Sequence, residues 1–109
     1  VPHFPNYIIC CSNNNYNRLL HFPGLHESGA ELLVTRKIAA VGIDTASIDN
    51  GQSTTYLSHR AILPRGIPNF ENVAGTLAEL PPYGAYVIAL PTKIKDGSGG
   101  PLRIIAYVP

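Results

Sequence analysis

The chain has 109 residues, 45% hydrophobic and only 14% charged, with a formal net charge of +1. That is about one small domain with enough apolar surface for a core, which excludes a disordered tail. Lys and Arg are scattered without a basic block, and no apolar stretch approaches the ~20 residues of a membrane helix, so neither nucleic-acid capture nor a helical membrane span is expected.

Residues 1–21 differ from the rest. Pro2 and Pro5 precede an apolar run, 7–11, that reads as one strand, and an Asn cluster at 13–15 follows. Cys10 and Cys11 are adjacent, and a disulfide wants its Cα atoms ~5.5 Å apart. Free thiols, intermolecular links or two small buried hydrophobes are the readings left open. No signal-peptide pattern is visible. The chain contains no Met and is expected to be a processed or truncated product, or part of something longer.

Phe22-Pro23-Gly24 is a turn signal. The i, i+3, i+4 spacing of Ala30, Leu33, Val34 and Lys37 predicts a helix over 26–37. Glu27 and Glu31 lie early in it and Arg36 and Lys37 late, as the helix dipole favours. The apolar run 38–43 predicts a buried strand, and the Asp-, Ser-, Asn- and Gly-bearing stretch 44–53 a loop. Ser58 is expected to cap a second helix over 59–63, which Pro64 and Gly66 end. A short strand follows over 67–71, placed at an edge by Pro68, and then one helical turn over 76–80. Strands over 85–90 and 102–108, joined by the loop 96–100, close the chain. This order indicates an α/β or α+β domain without internal repeats.

Four histidines are present: His3, His21, His26 and His59. None sits in His-Glu-x-x-His or His-x-His, and there is no Cys-x-x-Cys and no Gly-x-Ser-x-Gly. On spacing alone each is more readily structural or exposed than functional. Gly97-Ser98-Gly99-Gly100 could cradle an anion through backbone N–H groups, but it precedes no helix, and a hairpin connection is the simpler reading. Asp44 and Asp49, with Thr45, Ser47 and Ser53, form a polar cluster directly after a strand, where open α/β sheets place ligands. The plainer alternative is an Asx-turn loop that satisfies its own backbone.

Several strings in order carry a resemblance. Phe22-Pro23-Gly24 precedes a helix with Ala30, Glu31 and Leu33, and Val41-Gly42-Ile43-Asp44-Thr45-Ala46-Ser47-Ile48-Asp49 follows. Then come Gly51-Gln52-Ser53-Thr54, His59-Arg60-Ala61-Ile62-Leu63, Glu71-Asn72-Val73 and Leu80-Pro81-Pro82-Tyr83-Gly84-Ala85, and the set ends in Gly99-Gly100-Pro101-Leu102-Arg103-Ile104-Ile105-Ala106. The set is similar to the C-terminal part of cyclase-family proteins, which include bacterial kynurenine formamidases and isatin hydrolases. The likeness covers roughly residues 22 to 109 and leaves 1–21 as a divergent N-terminal segment.

The resemblance implies an α/β fold, a truncated swivelling β/β/α-type domain with a mixed sheet and two short helices, binding zinc or manganese. In the family most ligands come from an N-terminal motif, His-x-Gly-Thr-His-x-Asp-x-Pro-x-His, whose last His is given an acid–base role. A later His and a Glu from a Glu-Asn-Leu-like string complete the site. Here those two are His59 and Glu71, with Val73 in place of the usual Leu. The implied reaction is arylformamidase-like: hydroxide on the metal attacks the carbonyl of an N-formyl group or strained lactam and the C–N bond is cleaved.

The N-terminal motif occurs nowhere in the sequence, and 1–21 holds no Asp. The chain alone is therefore expected to be an inactive, incomplete hydrolase. The alternative expectation is a non-catalytic truncated domain acting by self-association or partner binding through apolar surface its other half would cover. The partners expected are an N-formyl or lactam small molecule, and a second copy or a missing N-terminal chain. No nucleic acid and no membrane is expected, and the cytoplasm is the favoured location.

Overall fold

The computed structural model describes residues 20–73 and 75–109, together with the backbone of residues 7–10. The expectations for His3, Cys11, the Cys10 side chain and the Asn cluster 13–15 fall outside the described residues. The chain divides into two units, Val1–Ala78 and Glu79–Pro109.

The first unit runs β1 (Tyr7–Cys10), α1 (Glu27–Thr35), β2 (Ala40–Ile43), α2 (Leu57–Ile62) and β3 (Asn69–Phe70). The strands form one sheet in the order β1-β2-β3, and both pairs are parallel, with Tyr7 opposite Ala40 and Val41 opposite Asn69. Parallel neighbours need a crossover between them; α1 lies in the first connection and α2 in the second. Val41, Gly42 and Ile43 are buried in succession, as the interior of a covered parallel strand requires. The core gathers Ala30 and Leu33 from α1, Val41 and Ile43 from β2, and Ile62 from α2, with Ile38, Ile48 and Ile67 from the connections.

The helix predicted over 26–37 is shorter at both ends. His26 is its N-cap, with Nδ1 accepting from the Ser28 N–H at 3.3 Å, so this histidine has a local structural task. At the other end Lys37 adopts φ 53°. Its N–H donates to the Val34 carbonyl at 2.9 Å, and that of Ile38 to the Leu33 carbonyl at 3.4 Å. This is the Schellman ending usually built on Gly, with Leu33 and Ile38 supplying its hydrophobic contact.

Ser58 does not cap the second helix. The helix starts at Leu57, and its N-cap is Tyr56, in the left-handed region at φ 51° and without a side-chain cap bond. Ser58 lies fully buried in the first turn, and its hydroxyl donates instead to the Leu25 carbonyl at 2.6 Å. The strand predicted over 67–71 contracts to two residues; Pro68 has no N–H to give, but its carbonyl accepts from Val41 at 3.0 Å.

The second unit is an antiparallel hairpin of β4 (Tyr86–Pro91) and β5 (Leu102–Tyr107), with Tyr86 opposite Tyr107 and Pro91 opposite Leu102. Parallel and antiparallel pairings thus occupy separate sheets. The glycine-rich stretch 97–100 lies in the hairpin connection, which Thr92 N–H closes onto the Pro101 carbonyl at 3.1 Å. Exposure alternates along β4, with Tyr86, Ile88 and Leu90 outward and Val87 and Ala89 partly buried. Among the described residues no helix is long and apolar enough to cross a membrane.

Candidate functional site

Three segments meet beyond the carboxyl ends of the parallel strands, the edge where sheets of this kind place ligands. The loop after β2 carries Asp49, the first turn of α2 carries His59, and β3 with its exit carries Asn69 and Glu71. The exit is set by Asn72, whose φ of 51° suits Asn better than most residues. Its N–H donates to the Thr45 carbonyl at 2.8 Å and that of Val73 to the Ile43 carbonyl at 3.1 Å. The chain leaving β3 is thereby tied to the end of β2.

His59 and Glu71, twelve residues apart in sequence, are brought together: His59 Nε2 lies 3.1 Å from Glu71 Oε1. The same oxygen accepts from Asn69 Nδ2 at 2.9 Å and from the Ile48 N–H at 2.9 Å. Asn69 Nδ2 is also 3.5 Å from His59 Nε2. With the amide turned the other way its oxygen would face the carboxylate, so the amide nitrogen belongs on this side. The amide oxygen is buried without a hydrogen-bond partner.

On the other edge of the ring, His59 Nδ1 lies 2.6 Å from Asp49 Oδ2. Asp49 is 4% exposed. Burial pushes its carboxyl up, but the His59 side chain, the N–H groups of Ser58 and His59, and the charge of His59 together outweigh it. The net effect holds the carboxyl below its ordinary value. Tyr56 presents its ring edge-on to the imidazole, with centroids 6.2 Å apart and planes at 85°.

Much of the polar cluster after β2 satisfies its own loop. Thr45 Oγ1 donates to the Ser47 carbonyl at 2.6 Å, and Ser53 Oγ accepts from the Tyr56 N–H at 3.1 Å, which are local loop bonds. Asp49 reaches out of this loop to the His59 ring and N–H. Its loop is fastened to the turn at Phe22-Pro23-Gly24: Leu25 N–H donates to Ile48 O at 2.7 Å and Gly51 N–H to Phe22 O at 3.0 Å. A methyl at Gly24 would overlap the backbone of Asp49 and Asn50.

Sequence reasoning named His59 and Glu71 but did not give Asp49 or Asn69 a place beside them. The position of Asp49 at the carboxyl end of a strand was a signal; Asn69, inside a two-residue strand, carried none. Among the described residues no group of three or more His, Cys, Asp and Glu side chains could hold a metal ion.

The fold and the cluster define an α/β chain with an imidazole and a carboxylate converging at strand ends. The Cyclase family model matches residues 4–50, a span that begins inside the segment 1–21. The kynurenine formamidase of Paracidovorax citrulli is 38% identical over 79 residues, 72% of this chain and 36% of the relative. That of Polaromonas naphthalenivorans is 30% identical over 101 residues, 93% of this chain and 44% of the relative. The isatin hydrolase of Roseibium aggregatum is 32% identical over 93 residues, 82% of this chain and 35% of the relative. The chain belongs to the cyclase family, among its kynurenine-formamidase-like members, and it spans less than half the length of these relatives.

Proposed function

We propose that this chain supplies the C-terminal part of a metal-dependent amide hydrolase, arylformamidase-like, in which His59 and Glu71 are ligands to zinc or manganese. The observation that carries the reading is the 3.1 Å approach of His59 Nε2 to Glu71 Oε1. An imidazole nitrogen beside a carboxylate oxygen is a donor set that both metals accept. Glu71 is already aimed, because Asn69 and the Ile48 N–H hold the oxygen nearest the imidazole. A divalent ion supplies Lewis acidity, which polarises an amide carbonyl and lowers the pKa of water.

Two residues fall short of the three protein ligands usual in a catalytic zinc site. On this reading the remaining ligands come from the N-terminal motif of the family, which is absent from these 109 residues. The substrate class, an N-formyl arylamide or a strained lactam, is proposed from the activities named for the relatives.

The test is zinc and manganese binding by calorimetry on the full chain, with elemental analysis of the purified protein. His59→Ala and Glu71→Gln are each expected to weaken binding at least about tenfold. Equal affinity in the parent and both variants, or no metal bound by the parent, overturns the reading for this chain.

A second reading is favoured by the second unit. One face of its hairpin exposes Tyr86, Ile88, Leu90, Ile105 and Tyr107, an apolar surface of the kind that marks association. On that reading the chain acts without catalysis, by pairing with another copy of itself.

A further inference from the structure

We infer that Asp49 is a positioning residue: it locks the His59 ring so that Nδ1 carries the proton and Nε2 is presented beside Glu71. The inference rests on the preceding proposal for what Nε2 meets, but the ring state it assigns is measurable without any metal.

The His59 ring lies between two carboxylates, and the closer of them is Asp49. An ionised carboxylate can only accept hydrogen bonds, so in the 2.6 Å contact with Asp49 Oδ2 it is Nδ1 that donates, whether the ring carries one proton or two. Nε2 lies 3.1 Å from Glu71 Oε1, a second acceptor, so a protonated ring donates on both edges. The neutral ring has one proton, and the shorter contact to the more deeply buried carboxylate keeps it on Nδ1 and leaves the lone pair on Nε2. Metal-ligating imidazoles are commonly oriented in this way, by a carboxylate on the nitrogen that does not bind, which fixes both tautomer and ring direction.

Asp49 can do this because it is itself immobilised. Its Oδ1 accepts the Ser58 N–H at 2.8 Å and its Oδ2 the His59 N–H at 3.2 Å. These are first-turn donors of α2, which Tyr56 leaves without a side-chain cap, so Asp49 caps the helix from another loop. The Asp49 N–H donates to Ser47 Oγ at 3.2 Å, and Gly24 lies hard against the backbone at Asp49 and Asn50. One carboxylate therefore fixes both the start of α2 and the direction of the imidazole that α2 carries.

The test is a long-range proton–nitrogen correlation spectrum of the labelled full chain, free of metal and in alkaline buffer, for the parent and Asp49→Asn. The parent is expected to show the Nδ1–H tautomer at His59. Asp49→Asn is expected to shift the ring toward the Nε2–H form and to weaken zinc binding about 10–100-fold, and Asp49→Glu to restore part of both. A merely structural role would leave the tautomer unmoved. An Nε2–H tautomer in the parent overturns the inference, and that measurement stands even if the variants fail to fold. So does a folded Asp49→Asn that keeps both the parent tautomer and the parent zinc affinity. If His59→Ala binds zinc as the parent does while the tautomer result holds, the metal proposal fails and the positioning of the ring survives.

Discussion

At the scale of single residues, the Asp49 carboxylate links stability to pH. Its folded pKa lies below the ordinary 3.8, so on acidification the unfolded chain takes up the proton first. The stabilisation from this group is therefore complete above 3.8 and is lost as pH falls through the folded value. Urea midpoints measured at steps below about pH 5 are expected to fall more steeply for the parent than for Asp49→Asn, which lacks the titrating group. Parallel curves for the two proteins would show that Asp49 carries no such linkage. The same residue marks how far the site was legible. His59 and Glu71 stood out only because ordered strings such as Glu71-Asn72-Val73 resemble a family; twelve residues of separation say nothing alone. Asp49 was visible as a polar residue after a strand, but an Asx turn explained it equally well. Asn69 was invisible, because its role depends on β3 lying beside β2, and a two-residue strand leaves no periodicity to read.

At the scale of elements, both helices and all the strands of the described residues were expected, from different signals: the first helix from its i, i+3, i+4 spacing, β2 from a continuous apolar run, and the second helix from the Pro64 and Gly66 that end it. Their ends were less legible, since they are decided by bonds from distant segments. Ser58 has good N-cap chemistry, yet it is buried in the first turn because Asp49 supplies the cap and the Leu25 carbonyl takes the hydroxyl. Helix α1 ends on a left-handed Lys37, a conformation that disfavours side chains by about 1–2 kcal/mol. Two substitutions should therefore move stability in opposite directions. Lys37→Gly is expected to stabilise by up to about 1 kcal/mol, relieving that conformation at the helix end. Gly24→Ala is expected to destabilise by about 1–3 kcal/mol, because the added methyl meets backbone at Asp49 and Asn50 that cannot move aside cheaply. Chemical denaturation of both variants checks the pair, and a neutral Gly24→Ala would mean that the turn and the loop are not in contact in solution.

At the scale of the whole molecule, the second unit poses a different problem from the first. A two-stranded hairpin is at best marginally stable by itself and needs a further strand or a packed face. The register of β4 and β5 sets Tyr86 against Tyr107, Ile88 against Ile105 and Leu90 against Arg103. Side chains opposite one another share a face, so five apolar residues and one arginine lie together. Tyr86, Leu90 and Tyr107 are 66%, 60% and 64% exposed, which leaves most of their apolar surface in water. Covering this face with the same face of a second copy would remove that surface from both hairpins while leaving Arg103 at the rim. Sedimentation velocity over a wide concentration range is expected to show the mass rising toward a dimer. Ile88→Lys combined with Ile105→Lys should return the chain to a monomer, since the like charges lie directly opposite each other within one hairpin and face the partner's pair across the interface. The substitutions lie in the second unit and His59 and Glu71 in the first, so zinc affinity should be unchanged in the double variant if metal binding and association are separate properties. A parent that stays monomeric throughout would leave the hairpin face without its proposed occupant and remove the association reading, whatever the outcome at His59 and Glu71.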